Sequence, residues 1–254
     1  MKKIIFIGLL SFLLAAIWQL PLSFAKPHAE KMIAGLKLTD VSGSIWNGSA
    51  QNLVIKDNDL GHVKWKVKPL QSLISFSLKS SFNINGKQLN ADGIAAITPS
   101  KKMILDETRF DVDARYLNNY QKQAKLSGDI KGTIKHTEID LNSETKKLPI
   151  LDAIIDWKQA TVSSLLLNLT EGDYHIIITP DAEGLLITPS SKEAPLDING
   201  KINLSNKWIL TPNIKLNSKD QKIAGMLKLA GKTQGDGSTL INTKTDLKPI
   251  LKIK

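Results

Sequence analysis

From Leu36 onward the chain alternates apolar and polar residues with a period of two, and this constrains the fold more than any other feature. That period sends successive side chains to opposite faces, so each such run reads as a half-buried β-strand. The cleanest run is HVKWKVK, with Val63, Trp65 and Val67 on one face and His62, Lys64, Lys66 and Lys68 on the other. Phe76, Leu78, Phe82 and Ile84 share a face in the next run, and Phe110, Val112 and Ala114 in another. Tyr174, Ile176 and Ile178 repeat the pattern, followed by Leu196, Ile198, Ile202 and Leu204. Ile214 with Leu216, then Ile223 with Leu227 and Leu229, continue it. Asn85-Gly86, Pro99-Ser100, Glu171-Gly172, Pro180-Asp181 and Asp236-Gly237 read as the turns between runs.

Short helices are expected only at His28–Leu36, Pro69–Ile74 and Tyr116–Lys122. None is long enough to cross over between parallel strands. The expected fold is therefore mainly β and antiparallel: a meander-like curved sheet or sandwich with a few short helices. Three glycine-bearing strands, NINGK at 83–87, GDIKG at 128–132 and DINGK at 197–201, add to this picture. A glycine inside a strand marks a bulge or bend, and repeated bends curve a sheet. The polar stretch NSETKK, between Leu141 and Leu148, breaks the alternation. It suggests a first β-rich region over 26–147 and a second over 148–254, or one continuous domain.

The amino terminus departs from this pattern. Lys2 and Lys3 precede an uncharged stretch from Ile4 to Ala25, closed by Lys26. A cleaved signal peptide has this basic start, apolar core and small-residue site, here Ser23-Phe24-Ala25. A membrane anchor needs about 20 apolar residues, which this stretch also supplies. Trp18 and Phe24 suit the outer interface, and the lysines hold the start in the cytoplasm. We favour residues 1–25 as a single transmembrane anchor, and either reading exports everything after Lys26.

The formal net charge of +10 invites a nucleic-acid reading. Of 34 basic residues, however, only Arg109 and Arg115 are arginine, the side chain suited to bidentate recognition of phosphates and bases. The lysines lie spread along the solvent faces of strands, where they discourage edge-to-edge association. They fit a solvated surface or an anionic membrane surface, with no nucleic acid as partner. The absence of cysteine excludes disulfides, thiol catalysis and thiolate metal sites.

No constellation for catalysis or cofactor binding stands out. GMLKLAGKT (225–233) has five residues between its first glycine and Gly-Lys-Thr, where a phosphate loop needs four. His28, His62, His136 and His175 are scattered and never paired at helical ligand spacing. Asp57-Asn58-Asp59 lacks the spacing and closing glutamate of a calcium loop and reads as a turn. Asp111 and Asp113 lie on one strand face among other acids and read as a solvated face. No enzyme activity, cofactor or metal is expected.

Two tryptophan patterns remain: GSIWNG, with Gly43, Trp46 and Gly48, and LGHVKWKVKP, with Leu60, Gly61, Val63, Trp65 and Pro69. With Leu73-Ile74 downstream, they resemble the signature of the type II secretion system protein N family, also called general secretion pathway protein N. The likeness is closest over residues 1–97. It implies an inner-membrane, single-pass protein with its bulk in the periplasm. Such a protein is an accessory component of the machinery that exports folded proteins across the outer membrane, and its partners are other subunits of that system. The resemblance transfers no catalytic residue, so Gly43, Trp46, Gly48, Gly61, Trp65 and Pro69 are expected to act structurally. Exposed strand edges would serve such contacts by β-augmentation. The alternative is an AsmA-like periplasmic module whose curved apolar sheet handles a lipid or other ligand, an analogy of fold alone.

Overall fold

Antiparallel pairing links the alternating runs to their neighbours in sequence, as hairpins and a meander require. The computed structural model describes residues 20–32, 35–56, 58–120, 123–141, 147–164 and 168–251. The chain divides into two compact units, one up to Ala96 and the other from Ile97.

The first unit opens with helix α1 (Leu22–Met32), then β1 (Leu36–Gly43), β2 (Asn47–Ile55), the short β3 (Asn58–Asp59) and β4 (His62–Val67). Helix α2 (Pro69–Ser75), β5 (Leu78–Asn85) and β6 (Leu89–Ile97) complete it. The strand order is β1-β2-β4-β5-β6, with β3 paired to β2. Leu36, Leu38, Ala50 and Val63 form its buried core, with Ala29 of α1 and Trp65 packed against them. The Glu30 carboxylate of α1 accepts the Leu38 N–H at 2.8 Å, which occupies a donor on β1.

The second unit runs through β7 (Lys102–Asp113), β8 (Lys125–Asp140), β9 (Ile150–Ser163), β10 (Asn168–Asp181) and β11 (Gly184–Lys192). It continues with β12 (Leu196–Ser205), β13 (Ile209–Ser218), helix α3 (Gln221–Ala230) and the short β14 (Lys232–Thr233), β15 (Thr239–Ile241) and β16 (Thr245–Asp246). Strands β7 to β13 lie in sequence order; β15 and then β14 follow β13, which also pairs with β16. The polar stretch near 141–148 lies inside this unit, and β8 and β9 on either side of it pair from Lys125↔Ser163 to Glu138↔Ile150.

The structure revises several sequence expectations. The first helix spans Leu22–Met32 instead of His28–Leu36, and Leu36 begins a strand. In place of the described part of the expected helix at Tyr116–Lys122 stands a 3-10 turn over Ala114–Asn119, its start capped by the Asp113 side chain; residues 121 and 122 lie outside the described residues. Glu171-Gly172 is no turn: Gly172 sits within β10, where the register to β9 shifts on either side of it. Ala194 and Pro195 crowd the place where its Cβ would stand, at 2.7 and 2.8 Å, so only glycine lets the bulge lie flat there.

Residues 221–230 form a helix although their apolar positions also alternate. Ile223 and Leu227 are four apart, and both pack with Leu169, Leu196 and Leu216. Asp220 caps the helix, accepting the N–H groups of Lys222 at 2.8 Å and Ile223 at 3.2 Å. Asp220→Ala is expected to lower the stability of the second unit by about 1 kcal/mol in urea unfolding, the usual loss on removing such a cap. Most of the expected anchor, residues 1–19, lies outside the described residues. Among those described, no helix is long and apolar enough to cross a membrane.

Candidate interaction surface

Gly43, Trp46, Gly48 and Trp65 of the signature build the end of the first unit where β1 turns into β2. Gly43 has φ +85°, and a Cβ there would lie 2.4 Å from the Asn47 carbonyl oxygen. Only glycine enters so tight a left-handed turn without strain. The Ser44 N–H donates to the Asn47 carbonyl at 3.0 Å, which closes the turn. Gly48 is the cross-strand partner of Trp65. A Cβ on Gly48 would stand 2.6 Å from Cζ2 of the Trp65 ring and 2.8 Å from the Ser44 carbonyl oxygen. The indole N–H of Trp65 donates to the Ile45 carbonyl at 3.1 Å, so the ring lies over Gly48 and ties the turn to β4. The Trp46 carbonyl accepts the Val67 N–H at 2.7 Å.

Gly43, Trp46, Gly48 and Trp65 thus meet in one place, while Gly61 sits at the opposite end of β4. There its φ is +86°, with the Asn85 carbonyl and Gly86 Cα both 2.5 Å from a would-be Cβ. Pro69 opens α2 at its first position, where a missing N–H removes no helical hydrogen bond.

Helix α2 fills the excursion at the tip of the β4–β5 hairpin. The Lys68 N–H donates to the Lys79 carbonyl at 2.8 Å. Ser72 turns inward: its hydroxyl donates to the Lys68 carbonyl and accepts the Lys79 N–H, both at 2.9 Å. Leu70, Leu73 and Ile74 consequently point outward, at 77%, 73% and 82% exposure. Phe76 is no strand residue, as its alternation with Leu78 suggested. It caps the helix in the left-handed region and is 83% exposed. Sequence reasoning missed this apolar tip, although the spacing of Leu70, Leu73 and Ile74 is the one that aligns side chains on one helix face.

In the second unit, cross-strand register gathers apolar residues into rows on one face. One row is Val112–Ile130–Trp157–Tyr174, and the next is Phe110–Gly132–Ile155–Ile176. Most of these side chains are half-buried. The other face carries Asp111, Lys131, Asp156 and His175 in register, with Lys131 Nζ 3.2 Å from Asp111 and His175 Nδ1 2.8 Å from Asp156.

Several of the residues weighed for chemistry, and some of their neighbours, are engaged in local pairs. Arg115 hydrogen-bonds Asp113 and holds its carboxyl below the usual carboxylate range. Lys102 does the same to Glu138. Burial pushes the Tyr174 hydroxyl up. His136 Nδ1 lies 2.7 Å from Asp106. Asp59 accepts the Gly61 N–H at 2.9 Å, as an Asx turn does. Asp57 lies outside the described residues, as does the side chain of His28. Among the described residues no group of three or more His, Asp or Glu side chains is placed to hold a metal ion. Gly225 of the phosphate-loop-like segment is inside α3.

A family model for the type II secretion system (T2SS), protein N, matches residues 34–242. The chain belongs to the type II secretion system protein N family. The matched span takes in the tryptophan patterns, α2 and nearly all strands of both units, so the β-rich body is the family's own. Family membership makes the chain a component of type II secretion and gives it other subunits of that system as partners. No curated protein and no solved structure matches it.

Proposed function

We propose that this protein N family member is an accessory component tethered to the inner membrane by residues 1–25, with its β-rich body in the periplasm. There it contributes to export of folded proteins by docking with other subunits of the apparatus. The family match over residues 34–242 carries this reading. The signature glycines and tryptophans support a structural role for Gly43, Trp46, Gly48, Gly61, Trp65 and Pro69, since their contacts are turn closure, ring packing and helix entry.

Affinity purification of the tagged full chain from detergent-solubilised membranes tests the proposal. Recovery of other type II secretion subunits is the expected result. Recovery of lipid with no such subunit would sink it and favour a second reading, an AsmA-like module that handles lipid. The half-buried apolar rows of the second unit speak for that alternative, because sites for apolar ligands are lined mostly by hydrophobic and aromatic side chains.

A further inference from the structure

We propose that α2 and the residue that caps it form a foot that rests in the surface of an anionic lipid bilayer. The inference rests on the membrane-tether part of the proposed function and adds to it a second, non-covalent contact of the body with the bilayer. Leu70, Leu73, Ile74, Phe76 and Leu78 are all more than half exposed. In sequence they make up half of the residues from 69 to 78, and the inward-turned Ser72 ties this tip to the strands at its base. An apolar helical face flanked by basic residues is the arrangement that lies in a lipid interface.

Two observations select a bilayer as the occupant. The first is placement. The uncharged stretch that begins at Ile4 enters the described residues at Leu20, and that point is fixed in space. The Leu20 carbonyl accepts the Ile45 N–H at 3.2 Å, and Pro21 forms a bridge with Ser44. Ser44 and Ile45 belong to the turn whose Trp46 carbonyl holds Val67, two residues before α2. The described end of the uncharged stretch and the apolar tip therefore lie at the same end of the first unit.

The second observation is charge. Between Asp59 and Asp92 the sequence contains no acidic residue, while Lys64, Lys66, Lys68, Lys79 and Lys87 are basic. Lys68 and Lys79 face each other at the base of the tip. Lysines beside an apolar anchor are drawn to anionic headgroups, and no carboxylate in this stretch opposes that attraction.

The chain has no cysteine, so one introduced thiol carries a label at a single place. The full chain bearing bimane on Ser75→Cys (in α2) or on Lys87→Cys (beyond the far end of β5) is reconstituted into vesicles of phosphatidylethanolamine and phosphatidylglycerol containing a headgroup-proximal spin-labelled lipid. Flotation of the vesicles is scored first. Quenching of the α2 label by about twofold or more, with the Lys87→Cys label unchanged, is expected. That quenching should be lost in the Leu70→Ser, Leu73→Ser, Ile74→Ser, Phe76→Ser variant and should weaken in phosphatidylcholine alone.

A chain that floats with both labels equally unquenched overturns the foot and leaves the tether standing. A chain that does not float overturns the tether and the foot together. If the α2 label is shielded only as the protein-to-lipid ratio rises, a second copy is the occupant and the foot is likewise overturned.

Discussion

Trp65→Ala is expected to lower the stability of the first unit by about 3 kcal/mol, the lower end of the range for truncating a large aromatic in a core. The lower end applies because Trp65 is half-buried. The loss has two parts. The ring packs against the cluster of Leu36, Leu38, Ala50 and Val63, and its N–H satisfies the Ile45 carbonyl at 3.1 Å. Removing it empties the space above Gly48 and releases the turn that carries Trp46. Chemical unfolding monitored by circular dichroism measures the change.

A double-mutant cycle with Gly48→Ala makes the assignment specific. Alone, Gly48→Ala places a methyl 2.6 Å from the ring and 2.8 Å from the Ser44 carbonyl. In the Trp65→Ala background the clash with the ring is gone while that with the carbonyl stays, so Gly48→Ala should be milder there by about 1 kcal/mol. Additive effects would show that the two residues do not meet. Wild-type stability of Trp65→Ala combined with lost secretion would mean that the ring is a binding surface.

Gly128→Ala is expected to destabilise the second unit by about 3 kcal/mol or more, through backbone strain and a clash that no side chain can relieve. Gly128 has φ +105°, and its Cβ would stand 2.5 Å from the Lys158 carbonyl oxygen and 2.6 Å from that of Gln159. It sits where the β8–β9 register shifts between Ser127 and Asp129. Neighbouring contacts lock this bulge. The Trp157 indole N–H donates to the Ser127 carbonyl at 3.0 Å, and the Gln159 N–H donates to Asp173 at 3.1 Å. The added methyl must displace β9 or flatten the bulge, and either one misaligns the row Ile130–Trp157–Tyr174. Guanidinium unfolding followed by tryptophan fluorescence reads the loss. An unchanged midpoint would show that the strand pairs without the bulge.

The two tryptophans share a logic that the sequence reveals only in part. Trp65 and Trp157 each cover a strand face and each donate an indole N–H to a backbone carbonyl at an irregularity, one a turn and the other a bulge. Their alternation with Val63 and Val67, or with Ile155, places them on the apolar face of their strands. Which carbonyl the N–H meets depends on a segment twenty or thirty residues away in sequence, and no local pattern encodes that pairing.

Most of the strands, the antiparallel β class and the resemblance to the protein N family were legible in the sequence alone. A period of two, short connections and the two tryptophan patterns are all local, and each is read within a few residues. Other assignments depended on contacts between distant segments. Ile223 and Leu227 fit both a strand and a helix; the Asp220 cap and the apolar end of β10, β12 and β13 made them a helix. Glu171-Gly172 looked like a turn and became a bulge because β9 pairs on both sides of it. Phe76 alternated with Leu78 and still left the sheet, because Ser72 closed the hairpin beneath it. Periodicity states which side chains share a face. Only folding decides what, if anything, covers that face, because the covering atoms come from residues distant along the chain.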